Sequence, residues 1–134
     1  MTAPHRAPGA AACPCGSGSA FGACCLPILE GEQATTALAL MRSRFTAFAL
    51  GDEDHLLRSW HPRTRPAPPY VDPAITWERL EILGHEAGAV GDAEGIVEFA
   101  AHWRGASGAR GVMRELSRFE RRAGRWVYVD GEVR

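Results

Sequence analysis

The sequence predicts an α+β domain with helices first and an antiparallel sheet after, carrying a cysteine-rich segment at its start. Three observations predict it. Helix-period apolar residues occur between positions 36 and 60, four strand-like stretches follow in direct succession, and all four cysteines fall within positions 13 to 25. A chain of 134 residues holds one main core. The hydrophobic fraction of 46% and the charged fraction of 23% are those of a globular protein.

The first helix is capped by Thr35 or Thr36. Leu38, Met41, Phe45 and Phe48 then recur at steps of 3, 4 and 3, which lays one apolar stripe along it. Gly51 ends it, and Asp52 caps a second, short helix bearing Leu56, Leu57 and Trp60. Pro62 stops that helix, because a residue preceding proline is pushed out of the α region. Residues 62 to 73 are proline-rich and read as a loop ending in one helical turn, with Asp72 as its cap and Pro73 at its first position. Pro27 and Gly31 mark a linker ahead of the first helix.

From residue 77 the period changes. Trp77 to His85, Glu94 to Arg104, Val112 to Arg121 and Arg125 to Asp130 are four strands separated by glycine-containing turns. With no helix between them they form a meander, and the helices pack on one face of it. The second strand places Val97, Phe99, Ala101 and Trp103 on one side. The third places Met113, Glu115, Ser117 and Phe119 on one side. The polar candidates for a pocket are His61, Glu98, His102, Glu115, Arg118 and Tyr128. A histidine or carboxylate among them would move a proton and Arg118 would steady an anion. His61, at a helix end, has the simpler reading of an imidazole bonded to a free carbonyl.

The cysteines carry the most specific chemistry. Cys13 and Cys15 are followed after eight residues by Cys24 and Cys25. Four thiolates at that spacing suit one tetrahedral zinc ion with no open coordination position. An iron-sulfur cluster takes the same ligand count. A redox dithiol reads C-x-x-C, and that pattern is missing; vicinal Cys24 and Cys25 make a strained disulfide. Glycines at 16, 18 and 22 permit the tight turns such a site needs, and Phe21 can cover one side of it. His5 and Arg6 are the nearby cations that would offset the added negative charge.

C-P-C-G-S-G followed by an aromatic and C-C resembles the SEC-C zinc motif, which implies that Cys13, Cys15, Cys24 and Cys25 are ligands of one structural Zn2+. That motif usually has lysines in its linker, where this chain has Ser19, Ala20, Gly22 and Ala23. The runs ALMRSRFTAFALGD, WHP, ELSRF and WVYVDG extend the resemblance to the YchJ-like bacterial proteins, an N-terminal SEC-C motif joined to a nuclear transport factor two-like domain. The resemblance implies a cone-shaped α+β fold whose sheet and helices can enclose a cavity. It implies the division 1–30, a flexible N-terminus with the zinc knuckle, and 31–134, the α+β domain. A second SEC-C motif, carried by longer members, is absent, and Leu116 stands where a charged residue is expected.

Net charge is −1 and the basic residues are all arginine, a balance that disfavours nucleic acid as a partner. Arg118, Arg121, Arg122 and Arg125 read as a solvated face. The first residues lack the apolar run of a secretory signal, and no stretch approaches the roughly 20 apolar residues of a membrane span. The expectation is a cytoplasmic binding or adaptor module with a protein partner. An enzyme or small-molecule site in the α+β cavity is the alternative, and ribosome or nucleic-acid binding through the knuckle, with Arg42, Arg44 and the linker arginines, the second. Related cone-shaped domains dimerise through the outer sheet face, so a homodimer is a further expectation.

Overall fold

The computed structural model describes residues 9–134; His5 and Arg6 lie outside the described residues. After a 3-10 turn at Phe21–Ala23 come three helices, α1 (Cys25–Leu29), α2 (Ala37–Leu50) and α3 (Glu53–Arg58). Four strands follow, β1 (Ile75–Ala87), β2 (Glu94–Gly105), β3 (Arg110–Arg122) and β4 (Arg125–Val133). They form one antiparallel sheet in the order β1-β2-β3-β4. A few helices on a four-stranded meander is the architecture expected of the sequence.

The cap residues act as their chemistry dictates. Thr36 accepts a hydrogen bond from the Ala39 amide at 3.0 Å, and α2 ends at Gly51 in the left-handed region. Asp52 accepts from the His55 amide at 3.0 Å to start α3. Three local expectations change, the first being that α3 ends at Arg58 and leaves Trp60 outside the helix expected to bear it. The start of the linker expected between Pro27 and Gly31 belongs to helix α1, because Pro27 falls in the first turn, where no amide partner is needed. Asp72 holds a turn, accepting from the Ala74 amide at 2.9 Å, and leads directly into β1 without a helical turn.

The single apolar stripe on α2 is too narrow a description. Leu40, Met41 and Phe45 are buried toward the sheet with Leu80, Val97, Phe99, Ala101, Phe119 and Trp126. Ala47 is buried on a second cluster with Cys13, Cys15, Phe21, Cys25, Leu29 and Leu56. Ser43, Arg44 and Thr46 are buried as well, while Leu38 and Phe48 are only half-buried. A helix packed on two sides needs small and polar residues where neighbours approach, which a periodicity test scores as its solvent face.

The segment after α3 joins the sheet directly. Tyr128 donates its amide to Ser59 O and His61 donates its amide to Tyr128 O, both at 2.8 Å, so Trp60 lies parallel beside β4. The Glu53 carboxylate accepts from the amides of Tyr70 and Val71 and clasps the proline-rich loop, which contains a cis peptide between Pro68 and Pro69.

The β1-β2 hairpin receives the start of α2. Ala37 donates its amide to Gly88 O at 3.0 Å, and a β-carbon on Gly95 would stand 2.6 Å from Gly88 Cα and 3.0 Å from Ala37 Cβ. Gly95→Ala is therefore expected to cost about 1–3 kcal/mol by overpacking. Gly84→Ala, whose added carbon meets nothing within 4 Å, is expected to stay within about 0.5 kcal/mol of the parent. Chemical denaturation of the two variants measures the contrast.

Candidate metal centre and cavity

A short hairpin builds the cysteine cluster. Ala12 and Ala20 form an antiparallel bridge, Cys13 donates its amide to Ser19 O, and Gly16 donates to Cys13 O. Gly16 and Gly18 take positive φ values of 76° and 90°, a conformation that resists a β-carbon. Gly22 does not need it; it instead lies against Gly9, to whose carbonyl it donates. The 3-10 turn delivers Cys24, and Cys25 opens α1. Phe21 is fully buried beside the thiols, as expected of a residue covering the site.

The four Sγ atoms lie within 4.8 Å of one another. Cys15 and Cys24 are 3.6 Å apart, and Cys24 and Cys25 are 4.0 Å apart. A tetrahedral ion with bonds of about 2.3 Å requires sulfur separations of about 3.8 Å, so the donor set fits one metal ion. Cys13, Cys15 and Cys25 are buried and Cys24 is half-buried. The Cys15 thiol is drawn down to about 4, first by its hydrogen bond from Cys25 and against the effect of burial. The same bond, with burial, pushes the Cys25 thiol well above the ordinary thiol range. Burial raises Cys24.

Sequence reasoning did not place the α2 residues that surround the sulfurs. Thr46, on α2, donates to Cys25 Sγ at 3.3 Å and lies 3.9 Å from Cys13 Sγ. Arg42, on the same helix, donates to Cys15 O at 2.9 Å with its Nη1 at 3.9 Å from Cys15 Sγ. Ser17 Oγ is 3.1 Å from Cys24 Sγ. Arg42 is thus the cation beside the cluster within the described residues. The spacing of Arg42 and Thr46, one turn apart on α2, was the available signal.

A cavity of about 240 Å³ lies between α2 and the inner face of the sheet. Of the six pocket candidates it brings together Glu115 and Tyr128. Ser117 and Tyr128 donate to Glu115 Oε2 at 2.6 and 3.0 Å. The other four lie elsewhere. His102 Nε2 meets Glu81 at 2.6 Å and Arg79 at 3.1 Å, and Glu98 pairs with Arg114, on the opposite face. Strand alternation explains this separation, since positions 98 and 102 have the parity opposite to Phe99 and Ala101. Arg118 bonds Asp130 at 2.6 Å and Glu132 at 3.4 Å. His61 Nδ1 accepts from the Arg63 amide at 3.0 Å, rather than bonding a carbonyl, and its Nε2 is 4.0 Å from Glu120.

The cavity also holds Arg44, which the sequence offered as a surface contact to nucleic acid and which the fold instead buries. Arg44 is 3% exposed, its guanidinium carbon 4.7 Å from the ring centre of Trp60 and 4.6 Å from that of Tyr128. Nη1 donates to Ser59 Oγ at 2.7 Å and Leu56 O at 3.2 Å. Burial lowers Arg44 to about 10, with Tyr128 and Glu115 acting against that shift. Burial, then the Glu115 charge, raises the Tyr128 phenol above its ordinary range.

The arginines near the β3-β4 turn are used by the fold. Arg121 lies 4.7 Å above the Trp126 ring and donates to Asp92 O, and Arg125 donates to Gly31 O. No helix among the described residues is long and apolar enough to cross a membrane.

Comparison with known proteins agrees with this anatomy. Residues 36–131 match the family described as YchJ, middle NTF2-like domain, and residues 11–27 match the SEC-C motif. A UPF0225 protein of Streptomyces avermitilis is 49% identical over 96% of this chain and 89% of its own length. One of Corynebacterium efficiens is 51% identical over 90% of this chain and 92% of its own. The solution structure of a SEC-C motif containing protein from Rhodopseudomonas palustris superposes with a TM-score of 0.79 at 32% identity, covering 91% of this chain and 98% of that one. A crystal structure of a SEC-C motif containing protein from Psychrobacter arcticus shares the fold, with a TM-score of 0.73 at 23% identity over 94% of this chain and 84% of that one. Both halves of the expected pattern, a cysteine cluster at the start and a helix-on-sheet domain after it, place this chain in the YchJ-like UPF0225 family.

Proposed function

We propose that the chain is a cytoplasmic binding module whose single zinc ion, held by Cys13, Cys15, Cys24 and Cys25, is structural. The observation that carries the reading is the closed donor set: four sulfurs within 4.8 Å of one another, three of them on buried residues. A catalytic zinc keeps a position for water or substrate, and four thiolates leave none. The ion would supply cohesion, tying the hairpin and α1 to α2 through Thr46 and Arg42. Binding is favoured over catalysis by the dispersal of the polar candidates, since Glu115 and Tyr128 share the cavity with neither histidine.

Elemental analysis of the reduced full chain is expected to find about one zinc per molecule. Iron with visible charge-transfer absorption would overturn the zinc assignment. Cys25→Ser is expected to abolish binding and lower the thermal transition, because metal binding energy becomes folding energy. An unchanged transition in the metal-free variant would contradict a structural role. Thr46→Ala, which removes the hydroxyl donor to Cys25, is expected to weaken zinc by about 10-fold to 100-fold in competition with a chelator.

A further inference from the structure

The Arg44 cavity is separate from the cysteine cluster, none of whose members lines it. Its walls are apolar, with Phe45, Trp77, Phe99 and Met113 among them. At about 240 Å³ it falls just below the range of about 300–1,000 Å³ typical of drug-sized sites, so it suits a fragment-sized molecule.

Arg44 is the unusual member. The two hydrogen bonds it makes both leave Nη1; among the described residues, Nε and Nη2 donate to nothing. No carboxylate among the described residues pairs with it within 4.0 Å, and Glu115 is already bonded by Ser117 and Tyr128. A buried guanidinium keeps its charge, and its planar fork matches a carboxylate through two parallel N–H donors. Here Nε and Nη2 are the adjacent pair left for that purpose. The rings of Trp60 and Tyr128, centred 4.7 and 4.6 Å from the guanidinium carbon, hold the Arg44 head group in place before any ligand arrives. Pre-fixed donors lose less entropy on binding.

We propose that this cavity binds a small monocarboxylate with an apolar or aromatic body, its carboxylate on Nε and Nη2 of Arg44 and its body against Phe45, Trp77, Phe99 and Met113. The proposal deepens the binding reading and rests on it, while the metal plays no part. Glu115 sets a selectivity: its carboxylate, held by Ser117 and Tyr128, repels a dianion from the same space, so one acidic group is accepted and two are not.

The test titrates the zinc-replete full chain with 3-phenylpropionate, 3-phenylpropionamide, phenethylamine and phenylsuccinate, read by tryptophan fluorescence and calorimetry. The monocarboxylate is expected to bind at least about tenfold more tightly than the amide, the amine or the dicarboxylate. Arg44→Gln is expected to level acid and amide. Met113→Trp, which fills the cavity from the sheet side, is expected to abolish binding with the fold and the zinc content retained. Should Arg44→Gln fail to fold, the acid-to-amide ratio on the parent and the Met113→Trp result still decide. The proposal is overturned if the acid does not bind at about 10 mM, if the amide or amine binds as tightly, or if Met113→Trp leaves acid binding intact. Any of those results with one zinc still bound removes this inference and leaves the metal reading standing.

Discussion

The structure depends on helix α2 being packed on two sides at once. One side carries Leu40, Met41 and Phe45 to the sheet, and the other carries Thr46 and Ala47 to the cysteine cluster. A helix in that position has little solvent face on which to place polar groups, so its polar residues must find partners inside. Ser43 donates to Leu40 O at 2.7 Å and lies 2.9 Å from His55 Nε2, Thr46 turns to the sulfurs, and Arg44 turns to the aromatic rings. A buried polar group without such partners costs on the order of 1–3 kcal/mol, and a buried charge more. The run RSRFT, unremarkable as sequence, thereby sets the geometry of both the candidate metal centre and the cavity.

This arrangement couples two sites that share no lining residue. Arg42 and Thr46 serve the thiols, and Arg44 serves the cavity, all within two turns of one helix. The Cys15 backbone and the Cys25 sulfur therefore bear on the placement of a helix that also forms one wall of the cavity. The cysteine segment is as deeply buried as the sheet core, Phe21 and Cys25 matching Phe119, but in a second cluster that meets the first across α2.

Much of the fold was legible because local chemistry and global packing agree. Thr36, Gly51 and Asp52 announce helix ends, and the glycine turns after residue 87 announce a meander. Strand parity correctly grouped Met113, Glu115, Ser117 and Phe119 on one side of β3, with Ser117 and Phe119 buried and Glu115 in the cavity. The candidate metal ligands were legible for a simpler reason, as thiols have few roles and four at that spacing have fewer. The cavity was not. Its anchor, Arg44, sits at a position that periodicity treats as polar surface, and no local signal says that Trp60 and Tyr128, distant in sequence, will close over it. His102 and Glu98 looked equally suitable for chemistry, yet parity faces them away, toward Glu81, Arg79 and Arg114.

A metal held by the four thiols would fix α2 between its two packed faces. Amide hydrogen exchange of the zinc-replete and chelator-stripped chain, read residue by residue, measures this directly. Stripping is expected to speed exchange in residues 11–29 and across residues 43–47 of α2, with the amides at the centre of β2 and β3 remaining protected. Unchanged protection in α2, with loss confined to the cysteine hairpin, would contradict it.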